Sequence, residues 1–327
     1  MTFVQNQVNI QPRGRTSEVR VLIPNNFACV TYHVIGNAAT QYVVSEEQLL
    51  EQLRLLKAEG YVVEGFGELE DRLKSNQEIP PHYLVVTMDD GHESSMRAAD
   101  IFEMQSSKAT FFLTRDRCLR KSGFIREAQV RELRNRGFSV GTHGTTHRKL
   151  TFMSTQTCAE ELRGSKKWLE DVIGEEVRYM AAPGGFINTP VFELASEFGY
   201  ALIGTCRESM NSANRMILPS RVNRVNVRNH FSLRTFRHAI EGYPSFYAWR
   251  QVRAAALAIP KQILRFVPDR KRPMLCPTLL VDNHRNGDCP RNSSAVGEQR
   301  NRIGSCLGAA GCAHTDCRRA GRSDRCG

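Results

Sequence analysis

Residues 83–91 read YLVVTMDDG: an uncharged stretch of strand composition that runs directly into two carboxylates and a glycine. Tyr83 to Met88 form a short apolar run of the kind that makes a buried strand, and Asp89-Asp90-Gly91 ends it. The pattern recurs downstream. Residues 138–142 read as a strand delivering His143, and 178–182 as a strand running into Pro183-Gly184. Residues 108–113 (KATFFL) and 200–205 are further strands. Between them, helices are predicted over 94–104, over 127–136 closed by Gly137, and over 155–173. Another is capped by Asn188, carries Pro190 in its first turn and ends at Gly199. Upstream, Ser45 with Gln48 makes a capping-box pattern, Leu49, Leu53 and Leu56 share one helical face, and Gly60 closes that helix ahead of a strand at 61–63. Strand and helix thus alternate from about residue 60 to 205, which implies a parallel sheet with helices outside it. Asp89, Asp90, His143, His147 and Pro183-Gly184 all fall just after strand C-terminal ends. That is the rim where barrels of this class carry their sites, so a barrel is favoured over a doubly wound sheet.

Composition bounds the rest. With 327 residues, 41% of them apolar, the chain can bury a large α/β core. No run approaches the roughly 20 apolar residues of a membrane span. The first 20 residues are polar and lack the apolar run of a signal peptide, so the expected location is cytoplasmic, extending to the inner membrane surface. The net charge is +11, and from Lys261 onward there are 13 Lys/Arg against 6 Asp/Glu. The folded part shows no basic face with a nucleic-acid-binding module, so nucleic acid is excluded as a partner.

Cysteines are uneven too: Cys29, Cys118, Cys158 and Cys206 lie in the body, and six more lie between Cys276 and Cys326. Cys312 and Cys317, with His314 between them, have the spacing of a metal knuckle. Yet residues 282–327 are too poor in apolar periodicity to bury a core. Four segments follow: an extension over 1–26, a barrel over 27–240, a helical segment over 241–275, and a tail over 276–327 with the composition of a disordered or out-of-frame stretch. Phe246, Trp249, Val252, Leu257, Ile263 and Phe266 lie among basic residues in 245–270. They fit a helix packed on the barrel, or a peripheral membrane contact.

Two carboxylates side by side at a strand end can divide labour, one binding a metal and its neighbour acting as a base. Adjacent strand residues point to opposite faces, so both reach one pocket only if the chain turns at Gly91. His143 and His147 have the His-x3-His spacing that places two imidazoles on one side of a turn. An Asp-Gly turn or a His pair alone is commonplace. Two His and one Asp, each at a strand end, make a three-ligand set that leaves positions open for water and substrate, as a catalytic metal requires.

TMDDG, HGTTH and RYMAAPGG stand in the order and spacing of the polysaccharide deacetylase (NodB-homology, carbohydrate esterase family 4-like) family, which the chain resembles over roughly 28–230. ATFFL, the helix with Glu160-Glu161-Leu162 and Ser165-Lys166, and FGYALIGT add to the resemblance. It implies an α/β fold, a distorted (β/α)7 barrel of the NodB-homology type. It further implies hydrolysis of N-acetyl groups on N-acetylated sugars with a divalent metal: zinc first, with cobalt, nickel or iron compatible with the same ligands. Carried over by position, Asp90, His143 and His147 resemble the metal ligands and Asp89 the general base. Pro183 and Gly184 resemble the turn that offers a backbone N–H to the oxyanion.

The sequence departs from that pattern in four places. Ala181 stands where the family often has Arg beside the base. Arg221 or Arg224 is left to supply that charge, and Arg221 is assigned with Pro183 and Gly184 to the oxyanion- and substrate-binding set. Gly184 lacks the family's aromatic ring, and Gly144 replaces a Ser/Thr that usually steadies the His loop. No late Leu-x-His follows Thr205. Thr31-Tyr32-His33, ending an apolar strand over 27–32, resembles instead the subgroup acting on poly-N-acetylglucosamine and related exopolysaccharides. In that subgroup this His takes the late histidine's task, so His33 is assigned as the general acid.

The expected substrate is an N-acetylhexosamine in a polysaccharide, oligosaccharide or lipid-linked sugar. Two alternatives remain: a hydrolase of another C–N amide on the same barrel, or an inactive carbohydrate-binding barrel. A binding module gains nothing from four buried ionisable groups at one rim, which argues against the last. The sequence is silent on oligomeric state.

Overall fold

Strand β1 (Asn26–Tyr32) opens the architecture, and the remaining barrel strands lie parallel to one another around it. These are β2 (Tyr83–Met88), β3 (Thr110–Leu113), β4 (Ser139–Thr142), β5 (Tyr179–Ala181), β6 (Leu202–Gly204), β7 (Ser220–Val222) and β8 (Val225–Asn226). This computed structural model describes residues 25–248 and Arg250. The first 24 residues, residues 251–275 of the expected helical segment, most of the stretch considered for membrane contact, and the tail from 276 lie outside the described residues.

The sheet runs in sequence order, β1-β2-β3-β4-β5-β6-β7. Its closure depends on one kinked segment. Ser220 to Val222 pair with Leu202 to Gly204 of β6, and three residues later Val225 and Asn226 pair with Val30 and Thr31 of β1. Residues 220–226 therefore fill a single strand position that bridges both edges, and the sheet closes with seven positions. This is the distorted (β/α)7 barrel that the motifs imply. The distortion shows in its pairings: β1 and β2 share five, whereas β4 and β5 share only Thr142 with Met180. The strand expected at 61–63 forms at Val62–Glu64. It adds no further barrel position, because it pairs with the beginning of β2 on the side that β3 takes over further along.

Strand parity sorts the core into two layers. Phe27, Cys29, Tyr83, Val85, Phe112, Ala181, Leu202 and Val222 pack together inside the barrel. Val30, Tyr32, Leu84, Val86, Met88, Phe111, Val140, Met180 and Ile203 point outward, under the helices. The helix Glu46–Ala58 buries Leu49, Leu53 and Leu56, as its spacing predicts. Ser45 caps it through Gln48 N, but Gln48's own amide reaches the carbonyls of Arg228 and Phe231, so only half of the capping box forms. The long helix Thr155–Ile173 is capped by Ser154 and ends at Gly174, φ 73°. Its buried face carries Leu162, Trp168, Leu169 and Val172, with Glu161 and Ser165 among them. Each fully buried large aliphatic or aromatic side chain contributes about 1.5–3 kcal/mol. Three helices went unforeseen: Phe66–Lys74, Arg115–Arg120 and Leu233–Ile240. No helix among the described residues is long and apolar enough to cross a membrane.

Candidate active site

The inward parity of β2 continues past its end. Thr87 faces the interior, Asp89 follows two residues later on the same side and is 1% exposed, and Asp90 adopts φ 79°. That left-handed residue turns its carboxylate to the same pocket as its neighbour's, the arrangement a regular strand forbids. His143, on the rim end of β4, is 2% exposed. Its Nδ1 lies 2.8 Å from the Ala181 carbonyl. Bonded to a carbonyl, that nitrogen must carry the proton, which leaves Nε2 unprotonated and free to bind a metal. Burial pushes the His143 pKa down to about 4 against the opposing pull of Asp89 and Asp90, so the ring is neutral at physiological pH.

Nε2 of His147 is 2.9 Å from Asp90 Oδ1, and Nε2 of His143 is 3.6 Å from the same oxygen. Ligand atoms around one zinc ion sit about 3.3 Å apart, given bonds of about 2.0–2.1 Å in a tetrahedral shell. The two separations bracket that figure, and the three candidate ligand atoms all lie within 4.8 Å of one another. The residues present therefore fit a divalent metal held by Asp90, His143 and His147. Arg117, on the helix after β3, brings Nη1 to 2.6 Å from Asp90 Oδ1. Burial alone would raise the Asp90 pKa, but the His147 bond and the charges of His143, His147 and Arg117 hold it well below the ordinary carboxylate range.

Asp89 is clamped by Arg224, with Nη1 2.7 Å from Oδ1 and Nη2 2.9 Å from Oδ2. Arg224 is wholly buried. It also donates to the Thr205 carbonyl at 3.1 Å and to the Thr87 hydroxyl at 3.0 Å. Against the burial that would raise it, this guanidinium, with His143 and His33, holds the Asp89 carboxyl below its usual range. The charge that Ala181 does not supply thus arrives from the closing segment of the barrel. Of the two arginines weighed for that place, parity selects Arg224, which shares the inward side of the strand with Val222. Arg221 points outward and stacks on Phe192, 4.0 Å from the ring centre. The assignment of Arg221 to the oxyanion and substrate set is corrected accordingly.

The His loop is steadied differently from the expected pattern. Gly144 has φ 76°, and a Cβ there would meet Pro183 Cγ at 3.4 Å, so a Ser or Thr in its place would be strained. Glu161 holds the loop instead. One carboxylate oxygen accepts the N–H groups of Thr145 and Thr146, each at 2.9 Å, and the other accepts the Thr146 hydroxyl at 2.6 Å. An acid on the buried face of an amphipathic helix, between Cys158 and Leu162, is the sequence signal that could have singled it out. Pro183 is buried in the turn Pro183–Gly185. Gly185 N donates to the Ala182 carbonyl at 2.7 Å, and Gly184 lies at φ 70° beside Lys149 and the Phe186 ring.

His33 stands at the same rim, directly after β1, near enough for its charge to act on Asp89. Its Nδ1 is buried with no hydrogen-bond partner, and its ring centre is 5.1 Å from that of Tyr42. His230 and His238 lie elsewhere, against Phe231 and Tyr243. The rim thus assembles Asp89, Asp90, His143, His147, His33 and the Pro183–Gly185 turn, and lacks only Arg221 of the predicted set.

A parallel seven-position barrel with an Asp-His-His triangle and a buried Asp-Arg pair at one rim defines a class of metal-compatible hydrolase sites. Residues 76–203 match the family model for polysaccharide deacetylase, and curated relatives are named polysaccharide or peptidoglycan deacetylases, hydrolases acting on non-peptide C–N bonds. The peptidoglycan-N-acetylglucosamine deacetylase of Bacillus cereus is 26% identical over 140 residues, which cover 42% of this chain and 63% of that protein. Among solved structures, the Streptococcus pyogenes deacetylase PplD in complex with acetate superposes with a TM-score of 0.61 at 22% identity, covering 67% of this chain and 99% of that one. IcaB from Ammonifex degensii gives 0.57 at 24% identity, covering 62% and 92%. The fold is common to this chain and these two solved structures. Three curated relatives are spanned by this chain over 70%, 63% and 24% of their own lengths.

Proposed function

We propose that the chain hydrolyses the N-acetyl group of an N-acetylhexosamine in a polysaccharide, oligosaccharide or lipid-linked sugar. The observation that carries this reading is the juxtaposition of two differently treated carboxylates. Asp90 joins two imidazoles in a metal-sized triangle, while Asp89, one residue away, is held ionised by Arg224 and kept off that triangle. A divalent ion bound by Asp90, His143 and His147, with zinc the first candidate, would supply Lewis-acid chemistry to the amide carbonyl and to water. Asp89 takes the proton of the attacking water as general base. His33, at the same rim as Asp89, gives a proton to the leaving amine. The turn at Pro183 and Gly184 faces the developing oxyanion with a backbone N–H. The names of the relatives, peptidoglycan-N-acetylglucosamine deacetylase among them, support an N-acetylated sugar as substrate. The meeting of Asp89, Asp90, His143, His147 and His33 at one rim favours catalysis over the inactive-barrel reading.

Acetate release from N-acetylglucosamine oligomers, measured after chelation and again after zinc or cobalt is restored, tests this function. Metal-dependent release is expected. Asp89→Asn should abolish turnover while leaving metal bound, and unchanged turnover would remove Asp89 from the role of base. His33→Ala should lower kcat by about 10²–10⁴-fold.

A further inference from the structure

The backbone that carries His33 is tied down on both sides. Tyr32 O accepts the Asp89 N–H at 2.9 Å, and the Ile35 N–H donates to Ser94 Oγ at 3.0 Å. Ser94 Oγ lies 2.9 Å from Nδ1 of His92, which follows Asp90 and Gly91. The chain on either side of His33 is therefore bound to the segment that carries the two carboxylates. The imidazole has no such tie at Nδ1, which is buried with no hydrogen-bond partner, whereas the Ala181 carbonyl fixes the ring of His143.

An aromatic ring stands beside it instead. The Tyr42 ring centre is 5.1 Å from that of His33, with the planes tilted by 42°. A two-stranded sheet that is no part of the barrel brings it there: Val34–Ile35 pair in parallel with Val43–Val44. Gly36 N donates to Val44 O at 2.9 Å, and Val34 N to Tyr42 O at 3.4 Å. Ile35, Val43 and Val44 are buried, which anchors this small sheet in the core. Residues just after the closing strand hold the loop from another direction. Asn229 N donates to the Gln41 carbonyl at 3.2 Å, and Asn229 Nδ2 to the Thr40 carbonyl at 3.1 Å. The Arg228 guanidinium carbon stands 6.0 Å from the Tyr42 ring centre. Tyr42 itself is 38% exposed, so burial in the core does not account for its place. Two separate segments, 34–36 and 228–229, converge on keeping its ring beside one histidine.

We infer that Tyr42 is the positioning residue of His33, its ring holding the imidazole in the orientation from which the proton is given. The χ2 torsion of a histidine is broad, and where Nδ1 is unbonded a neighbouring ring narrows it. A proton donor helps the reaction only when held in line with the atom it protonates. The contact is made by the ring, so the phenolic hydroxyl is dispensable. The inference rests on the deacetylase reading, with His33 as its acid, and adds to it a residue that acts through that acid.

Acetate release from N-acetylglucosamine oligomers by the zinc-loaded full chain reads the effect. Tyr42→Leu should lower kcat about 10-fold with KM little changed, and Tyr42→Phe should keep most of the wild-type rate. In a His33→Ala background Tyr42→Leu should add no further loss, because the two residues act as a unit. An undiminished kcat in Tyr42→Leu, a change confined to KM, or a loss of the same size with and without His33 overturns the inference. A second readout needs no turnover. In NMR spectra of the chain with isotope-labelled histidine, the His33 ring signals are those that vanish in His33→Ala. They should stay in place in Tyr42→Phe, and shift and broaden in Tyr42→Leu. The signals of the other histidines, unchanged, would show that the fold is intact. His33 signals that do not move in Tyr42→Leu would mean that the ring is held by other contacts, and the inference is wrong. If they move but no oligomer yields acetate in the wild type, the deacetylase reading fails and the hold of Tyr42 on His33 stands.

Discussion

Asp89 and Asp90 are chemically identical side chains one residue apart, and their environments give them different work. Asp89 meets a planar guanidinium bidentately inside the barrel, the geometry that lysine cannot copy. Arg224→Gln leaves Asp89 buried without its counter-charge, at a cost of about 3–5 kcal/mol. A fall in the denaturant midpoint together with loss of acetate release is the expected result; a variant as stable as the wild type would mean that the pair contributes nothing to the fold. Gly185 is constrained as tightly. It has φ 74°, and a Cβ there would lie 2.2 Å from Cys206 Cβ and 2.4 Å from Cys206 N. Gly185→Ala should therefore distort the turn and abolish activity. Cys206→Ala should fail to rescue it, because a backbone atom, which no side-chain change removes, is also in the way.

At the scale of elements, the His loop depends on the helix Thr155–Ile173, which supplies Glu161. A charged acceptor on two backbone N–H groups orients both imidazoles without touching either. Such outer partners are worth about 10–100-fold in metal affinity. Glu161→Gln should weaken zinc binding by that factor in a chelator competition, with the melting profile of the helices little changed; unaltered zinc affinity would show that the loop holds itself. Motif reading located the loop and the helix but not their link. That link joins residues 145–146 to 161, and only the packed helix brings them together. The barrel's last strand shows the same limitation. Residues 220–226 are too short and too polar to announce a strand, and they form one because the edges of β1 and β6 need hydrogen-bond partners.

Across the whole molecule, the end of the barrel opposite the active rim is closed by charge. Glu70, 1% exposed, takes bonds from Arg178 at 2.6 and 2.8 Å, from the Tyr179 hydroxyl at 2.7 Å and from Lys74 at 2.9 Å. Burial would raise its pKa; these partners outweigh burial and lower it. A carboxylate with a depressed folded pKa stabilises fully above its unfolded value of about 4.3, and that contribution disappears as pH falls through the folded value. Glu70→Gln should cost about 3 kcal/mol near neutral pH. The gap between variant and wild type should narrow as pH drops below about 4.3, which urea titrations at several pH values would read. A gap independent of pH would mean that the effect is one of packing.

The sequence by itself determined the strand–helix alternation, the strand ends that carry chemistry, and the identity of Asp89, Asp90, His143 and His147. These are local properties: hydrophobic period, turn residues and the spacing of ligands within one loop. Only the tertiary structure decided that Arg224 and not Arg221 faces the base, that Glu161 holds the His loop, and that Arg117 reaches Asp90. Each of these joins residues from separate elements, Arg224 and Asp89 across 135 positions of chain. Spacing along a sequence carries no information about which side chains meet once a sheet has closed on itself. Parity along a strand does carry some, but it can be used only after the strand is known to exist.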